Sequence, residues 1–454
     1  MTTINRRTFI AGTAAGAALA TTGGPGAAQA QATLIRRAYV MTMSAAGDRA
    51  ETDVRIEDGR IAAIGEALPA DGAEIIEADG HILLPGFVDT HTHLWLSQMR
   101  GLFSRSQETK YFPLVERLGR AYRPDDMRIG TLFGAAGNLD AGITTTLAYC
   151  DNIRSAADAD AALDGLRQSG IRARFLYTGH DNLDPAAEID LPHLADLIEA
   201  GEAGRVTLGI GWRSPAGDAD DEVVARAMRE LEFARENDLP ISTHVSGSGA
   251  VAQLDRLIAM GVLADDMQLV HATGASEAQL RAVDEAGASV SLTPITEQRV
   301  GFGVTRVNDY RPVFGSIGLG IDGALGGAPD MFDVMKMLHN VQAGAAGEEL
   351  AILPRRVLEF ATAEGARSIG MGEHIGSIEV GKRADLQLIA TDTLNMGPLN
   401  DDPSALLVYS AAPRNVVLVM VDDAIVKRDG RLTALAPAEL AREAARSLQA
   451  IRKR

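Results

Sequence analysis

The chain has 454 residues, 46% of them hydrophobic, with a formal net charge of −18 and a single cysteine. That is ample material for a large core, and the acidic balance excludes nucleic acid and anionic membrane surfaces as partners. The lone Cys150 excludes an intramolecular disulfide and a thiolate metal cluster.

At the N-terminus, Asn5-Arg6-Arg7-Thr8-Phe9-Ile10 precedes a mildly apolar Ala/Gly-rich run from Ala11 to Ala20. Ala28-Gln29-Ala30 then reads as a small-residue cleavage site. The paired arginines ahead of a weak apolar core resemble a twin-arginine export signal. Residues 1–30 are therefore expected to be removed, leaving a periplasmic protein more acidic than its precursor. No other segment approaches the ~20 apolar residues of a membrane span.

Residues 31–84 read as short strands and turns, with Asp58-Gly59 and Asp71-Gly72 as turn signals. From 85 to 375, apolar β-branched runs alternate with helical patterns. The expected strands are Phe87–His93, Gly142–Cys150, Ile171–Tyr177, Val206–Trp212, Pro240–Val245, Met267–His271, Ala288–Thr293 and Ile317–Asp322. Between them lie stretches such as Asp221–Glu236, apolar at helical spacing. Strand alternating with helix implies a parallel sheet, and eight such units imply a closed (β/α)8 TIM barrel, a fold of roughly 250 residues. Residues 376–435 return to strands and turns, and 436–454 hold an Ala/Leu/Arg/Glu-rich stretch, Pro437–Ile451, that should be helical.

The chemistry gathers at the strand ends. Side chains two apart on a strand share a face, so His91 and His93 can offer two imidazoles to one metal ion. His244 ends the fifth strand, His271 the sixth and Asp322 the eighth. In such a barrel the C-terminal strand ends carry catalysis. Taken singly, each of these is an ordinary polar residue at a barrel mouth; taken jointly, they describe a metal site. His180, just past the third strand, is a further candidate for the pocket, whereas His81, His339 and His374 look structural or exposed.

Leu84-Pro-Gly-Phe-Val-Asp-Thr-His-Thr-His93 resembles the first-strand motif of the amidohydrolase superfamily, and the likeness extends over roughly residues 32–430. Within it, His91-Thr-His-Leu-Trp-Leu-Ser-Gln-Met-Arg-Gly101, Asp140-Ala-Gly-Ile-Thr-Thr145 and Gly320-Ile-Asp-Gly323 look like the triazine-hydrolase and cytosine-deaminase-like branch. The resemblance implies a small composite β-sandwich built from both chain ends. It implies that His91, His93, His244 and Asp322 bind one divalent ion, Zn2+ foremost with Fe2+ compatible. Asp322 would also accept a proton from metal-activated water, with His271 just outside the ligand set. Binuclear members bridge their metals through a strand-four lysine; here the strand ends Gly209-Ile-Gly-Trp-Arg213, which points to a single ion.

This chain departs from that branch in two places. A glutamate usual three residues after the strand-five histidine is Gly247 here, and the seventh strand is followed by Thr293-Pro-Ile-Thr-Glu297. Glu297 is accordingly expected to serve as the general acid from the other side of the mouth, its competing reading being a solvated loop acid. The expected reaction is hydrolysis of a non-peptide C–N bond in a small, cyclic or aromatic molecule. Aminoheterocycle deamination and hydrolytic dehalogenation are the alternatives, with a non-catalytic structural relative as a remote one. Trp95, His180 and Trp212 are the expected substrate contacts, and Leu96, Phe103, Tyr111, Phe112, Phe302 and Phe314 are further aromatic and apolar candidates. A homo-oligomer is compatible with all of this.

Overall fold

A computed structural model describes residues 32–103, 105–180, 182–201, 204–312 and 314–454; the export signal read in residues 1–30 lies outside them. The first barrel strand is Phe87–His93, followed by Ile143–Cys150, Arg172–Tyr177, Val206–Gly211, Ile241–Val245, Met267–His271 and Ser289–Leu292. Each pairs in parallel with the next. The eighth, Ile317–Leu319, pairs with the seventh and then with the first through Leu319 and Asp89, which closes the barrel. The first two strands are buried at every position, as expected when helices cover one face and the barrel core the other.

The eighth strand is shorter than its sequence pattern predicts. It breaks after Leu319 and resumes at Asp322–Gly323 against Thr92 and His93. At the break the Ile321 N–H donates to Asp89 Oδ1 at 2.9 Å rather than to a neighbouring strand, and Asp322 just beyond it has a left-handed φ of 61°. Asp221–Glu236 forms the expected helix, capped by the Asp220 carboxylate accepting from Val223 N–H at 3.0 Å, with Ala227, Leu231 and Ala234 buried.

The two chain ends meet in a second, nine-stranded sheet. Its N-terminal strands run from Ala32–Val40 to His81–Pro85, and its C-terminal ones are Leu386–Ala390, Val416–Val421, Ala424–Arg428 and Arg431–Leu432. His81–Pro85 pairs antiparallel with Leu386–Ala390, so one hydrogen-bonded path joins both termini. Asp58 and Gly59, both at positive φ, close a two-residue hairpin of the kind that matches strand twist. Ile35, Val54, Leu83, Leu388 and Met420 form the core of this unit. It is fastened to the barrel's N-terminal end by a charge network built on the buried Arg172 and Asp385. Arg172 Nε lies 2.7 Å from Asp385 Oδ2, and its Nη2 lies 2.5 Å from Asp422 Oδ1. Arg205 and Arg383 both reach Asp422 at 2.8 Å. Pro437–Ile451 is helical, and beyond it Arg454 pairs with Asp126 at 2.8 Å. Among the described residues, no helix is long and apolar enough to cross a membrane.

Candidate metal centre

Strand pleating delivers His91 and His93 to the same side of the barrel, and their Nε2 atoms stand 3.1 Å apart. His244, from the end of the fifth strand, places its Nε2 3.1 Å from that of His91. Asp322 Oδ1 lies 3.4 Å from His91 Nε2 and 3.3 Å from His93 Nε2. All four ligand atoms fall within 4.8 Å of one another. Tetrahedral bonds of about 2.05 Å would set ligand atoms about 3.3 Å apart, so the donor set fits one such ion.

Electrostatics fit it as well. Burial pushes His91 down to about 4, and burial with the neighbouring imidazoles holds His244 well below its usual value, so both rings offer lone pairs. Burial would raise Asp322, but hydrogen bonds from His91 and His93 outweigh it and keep the carboxylate charged. Burial also opposes charge on His93; Asp151 and Asp322 overcome this and raise it to about 10. Carboxylates on both sides of that ring call for a cation between them, whether a proton or a metal. His271 and Asp322 hold positive φ of 72° and 61°, strain of order 1–3 kcal/mol each of the kind found at functional sites.

A supporting layer surrounds these ligands. Asp151 Oδ1 meets His93 Nδ1 at 2.9 Å and accepts from Trp95 Nε1 at 2.6 Å. Trp95 is therefore a buried brace, packed on Tyr122, and not the substrate contact expected of it. Asp151 went unassigned in the sequence, although it too stands just past a strand end. Asp89, fully buried beneath the ligands, accepts from Thr146 Oγ1 and Ile321 N–H at 2.9 Å and Asn138 Nδ2 at 3.2 Å, tying the first strand to its neighbours. Burial pushes its carboxyl up to about 7 against those bonds.

Glu297 is not a general acid facing the cleft, nor a solvated loop acid. It is fully buried behind His271, with Oε1 3.2 Å from His271 Nδ1 and 2.9 Å from Thr293 N–H, and Oε2 accepting from Thr305. The opposite nitrogen, His271 Nε2, faces the ligand cluster 3.9 Å from Asp322 Oδ2. Glu297 thus orients His271, and the helical turn at Pro294–Val300 carries it inward. Gly247 is open: a Cβ there would meet only Phe302, at 4.0 Å.

Beside the ligands lies a cleft of about 640 Å3 lined by Tyr149, His180, Trp212, Arg213, Ser214 and His244 among others. His180 lines it as expected, held down to about 4 by burial and by Arg154, Arg213 and Arg120 nearby. Trp212 contributes a face, while its indole N–H is spent on Ala227 O at 2.8 Å. Phe112 and Phe302 pair with each other outside the residues that line this cleft, Phe302 lying against His271. Leu96 is buried in the core, and Phe314 lines a separate cavity near Pro240 and Gly287, outside this cleft.

A (β/α)8 barrel with three imidazoles and a carboxylate converging at its C-terminal mouth defines a class of metal-dependent hydrolase. Comparison with known proteins specifies the family. Residues 82–430 match the model of the amidohydrolase family. The chain is 28% identical to a 5'-deoxyadenosine deaminase of Methanobrevibacter smithii over 419 residues, 88% of this chain and 93% of that one. It is 30% identical to a 5-methylthioadenosine/S-adenosylhomocysteine deaminase of Symbiobacterium thermophilum over 427 residues, 87% and 93% of the two chains. A crystal structure of an adenosine deaminase from Xanthomonas campestris with bound zinc shares the fold with a TM-score of 0.80, at 23% identity and covering 93% of this chain and 99% of that one. The chain belongs to the amidohydrolase family.

Proposed function

We propose that this protein hydrolyses a non-peptide C–N bond in a small, cyclic or aromatic molecule, with one divalent ion, zinc, held by His91, His93, His244 and Asp322. The observation that carries the reading is the convergence of those four ligand atoms within 4.8 Å beside a cleft of about 640 Å3. A single ion is supported by strand four, whose end carries no lysine. When bound, such an ion lowers the pKa of a water toward about 7 and polarises the bond under attack.

The chain's own residues do the rest. Asp322 takes the proton of the attacking water; its Oδ2 lies 3.3 Å from Thr293 Oγ1 and 3.9 Å from His271 Nε2, which places an acceptor and a relay on one side of the reacting atoms. His271, aimed by Glu297, or Asp322 itself returns the proton to the leaving amine. Asp151 holds His93 in the tautomer that leaves Nε2 for the ion.

Deamination of an aminoheterocycle is the second reading, and it is favoured by the relatives' printed activities on 5'-deoxyadenosine and 5-methylthioadenosine. Gly247 stands against it, since no carboxyl is there to protonate a ring nitrogen. Metal-loaded enzyme assayed on aminoheterocycles and on aryl amides and ureas, with ammonia read against liberated amine, separates the two. No C–N hydrolysis of either kind would end both readings. Export to the periplasm rests on Arg6 and Arg7. Changing both to Lys should leave the precursor in the cytoplasm, and unimpaired export would dismiss the twin-arginine reading.

A further inference from the structure

Strand four lacks a side chain where its neighbours carry chemistry. A Cβ on Gly211 would stand 2.8 Å from Tyr149 Cζ, 3.0 Å from Tyr149 Cε2 and 2.9 Å from Thr178 Cβ. The inward place at the end of strand four is therefore filled by the hydroxyl-bearing end of Tyr149, reaching across from the second strand. The ring lies 4.5 Å, centroid to centroid, from His244 and 5.4 Å from both His91 and His93. Among the described aromatic side chains outside the ligand set and His271, no other ring pairs with three of these imidazoles. Tyr149 is buried, yet it lines the cleft together with Arg213, Ser214 and Ser246.

We propose that Tyr149 is a catalytic residue whose phenol O–H donates a hydrogen bond to the reacting oxygen or ring nitrogen of the substrate. This rests on the C–N hydrolysis reading and adds a residue to it. The donor is needed because the position that would supply an acid, Gly247, supplies none, and because Glu297 is turned away behind His271. A phenol O–H can donate a hydrogen bond to a substrate acceptor without giving up its proton. Tyr149 takes no part in the proton transfers; the water's proton passes to Asp322 and from there to the leaving amine. Packing against the imidazoles fixes the ring before substrate arrives, and a donor positioned in advance stabilises charge as it develops.

Tyr149→Phe keeps the ring against the three imidazoles and deletes only the hydroxyl. The expected result is one ion per chain and an unchanged Tm, with kcat and kcat/KM both lower by about 10²–10³-fold, the usual loss for one such donor. Affinity for a phosphonamidate analogue of whichever amide is turned over should weaken by the same factor, while affinity for the product amine stays as it was. Gly211→Ala, which pushes the phenol off its seat without removing it, should lower kcat in the same direction. A Tyr149→Phe enzyme within about threefold of wild type, too small a loss for a catalytic donor, overturns the proposal. So does an equal loss of affinity for analogue and product, which would mean packing alone. Wild-type enzyme that breaks no C–N bond overturns the preceding reading and this one with it.

Discussion

At the N-terminal end of the barrel, Arg172, Arg205 and Arg383 meet Asp385 and Asp422, each guanidinium within 2.8 Å of a carboxylate. At the C-terminal end, three imidazoles point ring nitrogens at one another, His91 Nε2 standing 3.1 Å from those of His93 and His244, with one carboxylate beside them. Each cluster is built on buried residues, Arg172 and Asp385 in the first and His91, His93 and Asp322 in the second, and both gather residues far apart in the chain. The first is complete in itself, opposite charges paired inside the protein. The second is complete only with a cation supplied from outside. Buried polar groups that pair with each other close the fold, while buried imidazoles that converge on one point beside a carboxylate call for a cation.

The largest test of that contrast removes a ligand. His91→Ala or His244→Ala should lose the ion and all turnover, while Asp322→Asn should keep part of the metal and lose about 10²–10⁴-fold in kcat, because an amide accepts no proton. Elemental analysis beside the rates checks both, and two tightly bound ions at full activity would break the single-ion reading. The metal-free His244→Ala protein should melt close to metal-free wild type, since it loses ring packing against Tyr149 and His91 but no pair of opposite charges.

The other end should behave oppositely. Asp385→Ala takes from Arg172, whose side chain is 10% exposed, one of its two carboxylates and leaves Asp422, and should cost roughly 1.5–3 kcal/mol by denaturant unfolding, with KM and metal content of the folded enzyme unchanged. A change in KM would join the two ends and spoil the comparison. Burial would raise Asp422, but hydrogen bonds and charge from Arg205, Arg172 and Arg383 hold it below the ordinary carboxylate value. Its folded pKa is depressed, so its contribution is fully present above about pH 3.9, the unfolded value. It is lost as pH falls through the folded value. The Tm gap between wild type and Asp422→Asn should therefore close on acidification below that point, and a gap that widens there would contradict it.

The smallest effect belongs between the two. Glu297 is a satisfied group that serves the unsatisfied site. Glu297→Gln should lower kcat by about 10–100-fold, as loss of an outer partner does, and by the same factor whatever the leaving group. A loss that shrinks for good leaving groups would restore the general-acid role that the sequence alone invited.

Much of this was legible in the residues. Alternation of strand and helix, counted eight times, specifies a closed parallel barrel, and a two-residue period puts His91 and His93 on one face without further information. His244, His271 and Asp322 were legible because the barrel mouth is where strands end, a topological rule that needs only the strand boundaries. The split in the last strand was not, because it falls where the Ile321 N–H turns to the buried Asp89 carboxylate, a partner far away in the chain.

What a single sequence left undecided is which way a loop residue faces. Trp95 lies two residues past a ligand and Glu297 four past a strand, and both read as pocket residues. Tertiary packing turned one onto Asp151 and the other behind His271. Asp151 and Tyr149 acquired partners only when the second strand closed against the first, third and fourth. Strand period and strand order are local and topological, so the chain carries them openly. The direction of a side chain beyond a strand end is chosen by the competition among buried donors, acceptors and space around it, which exists only once the barrel has closed.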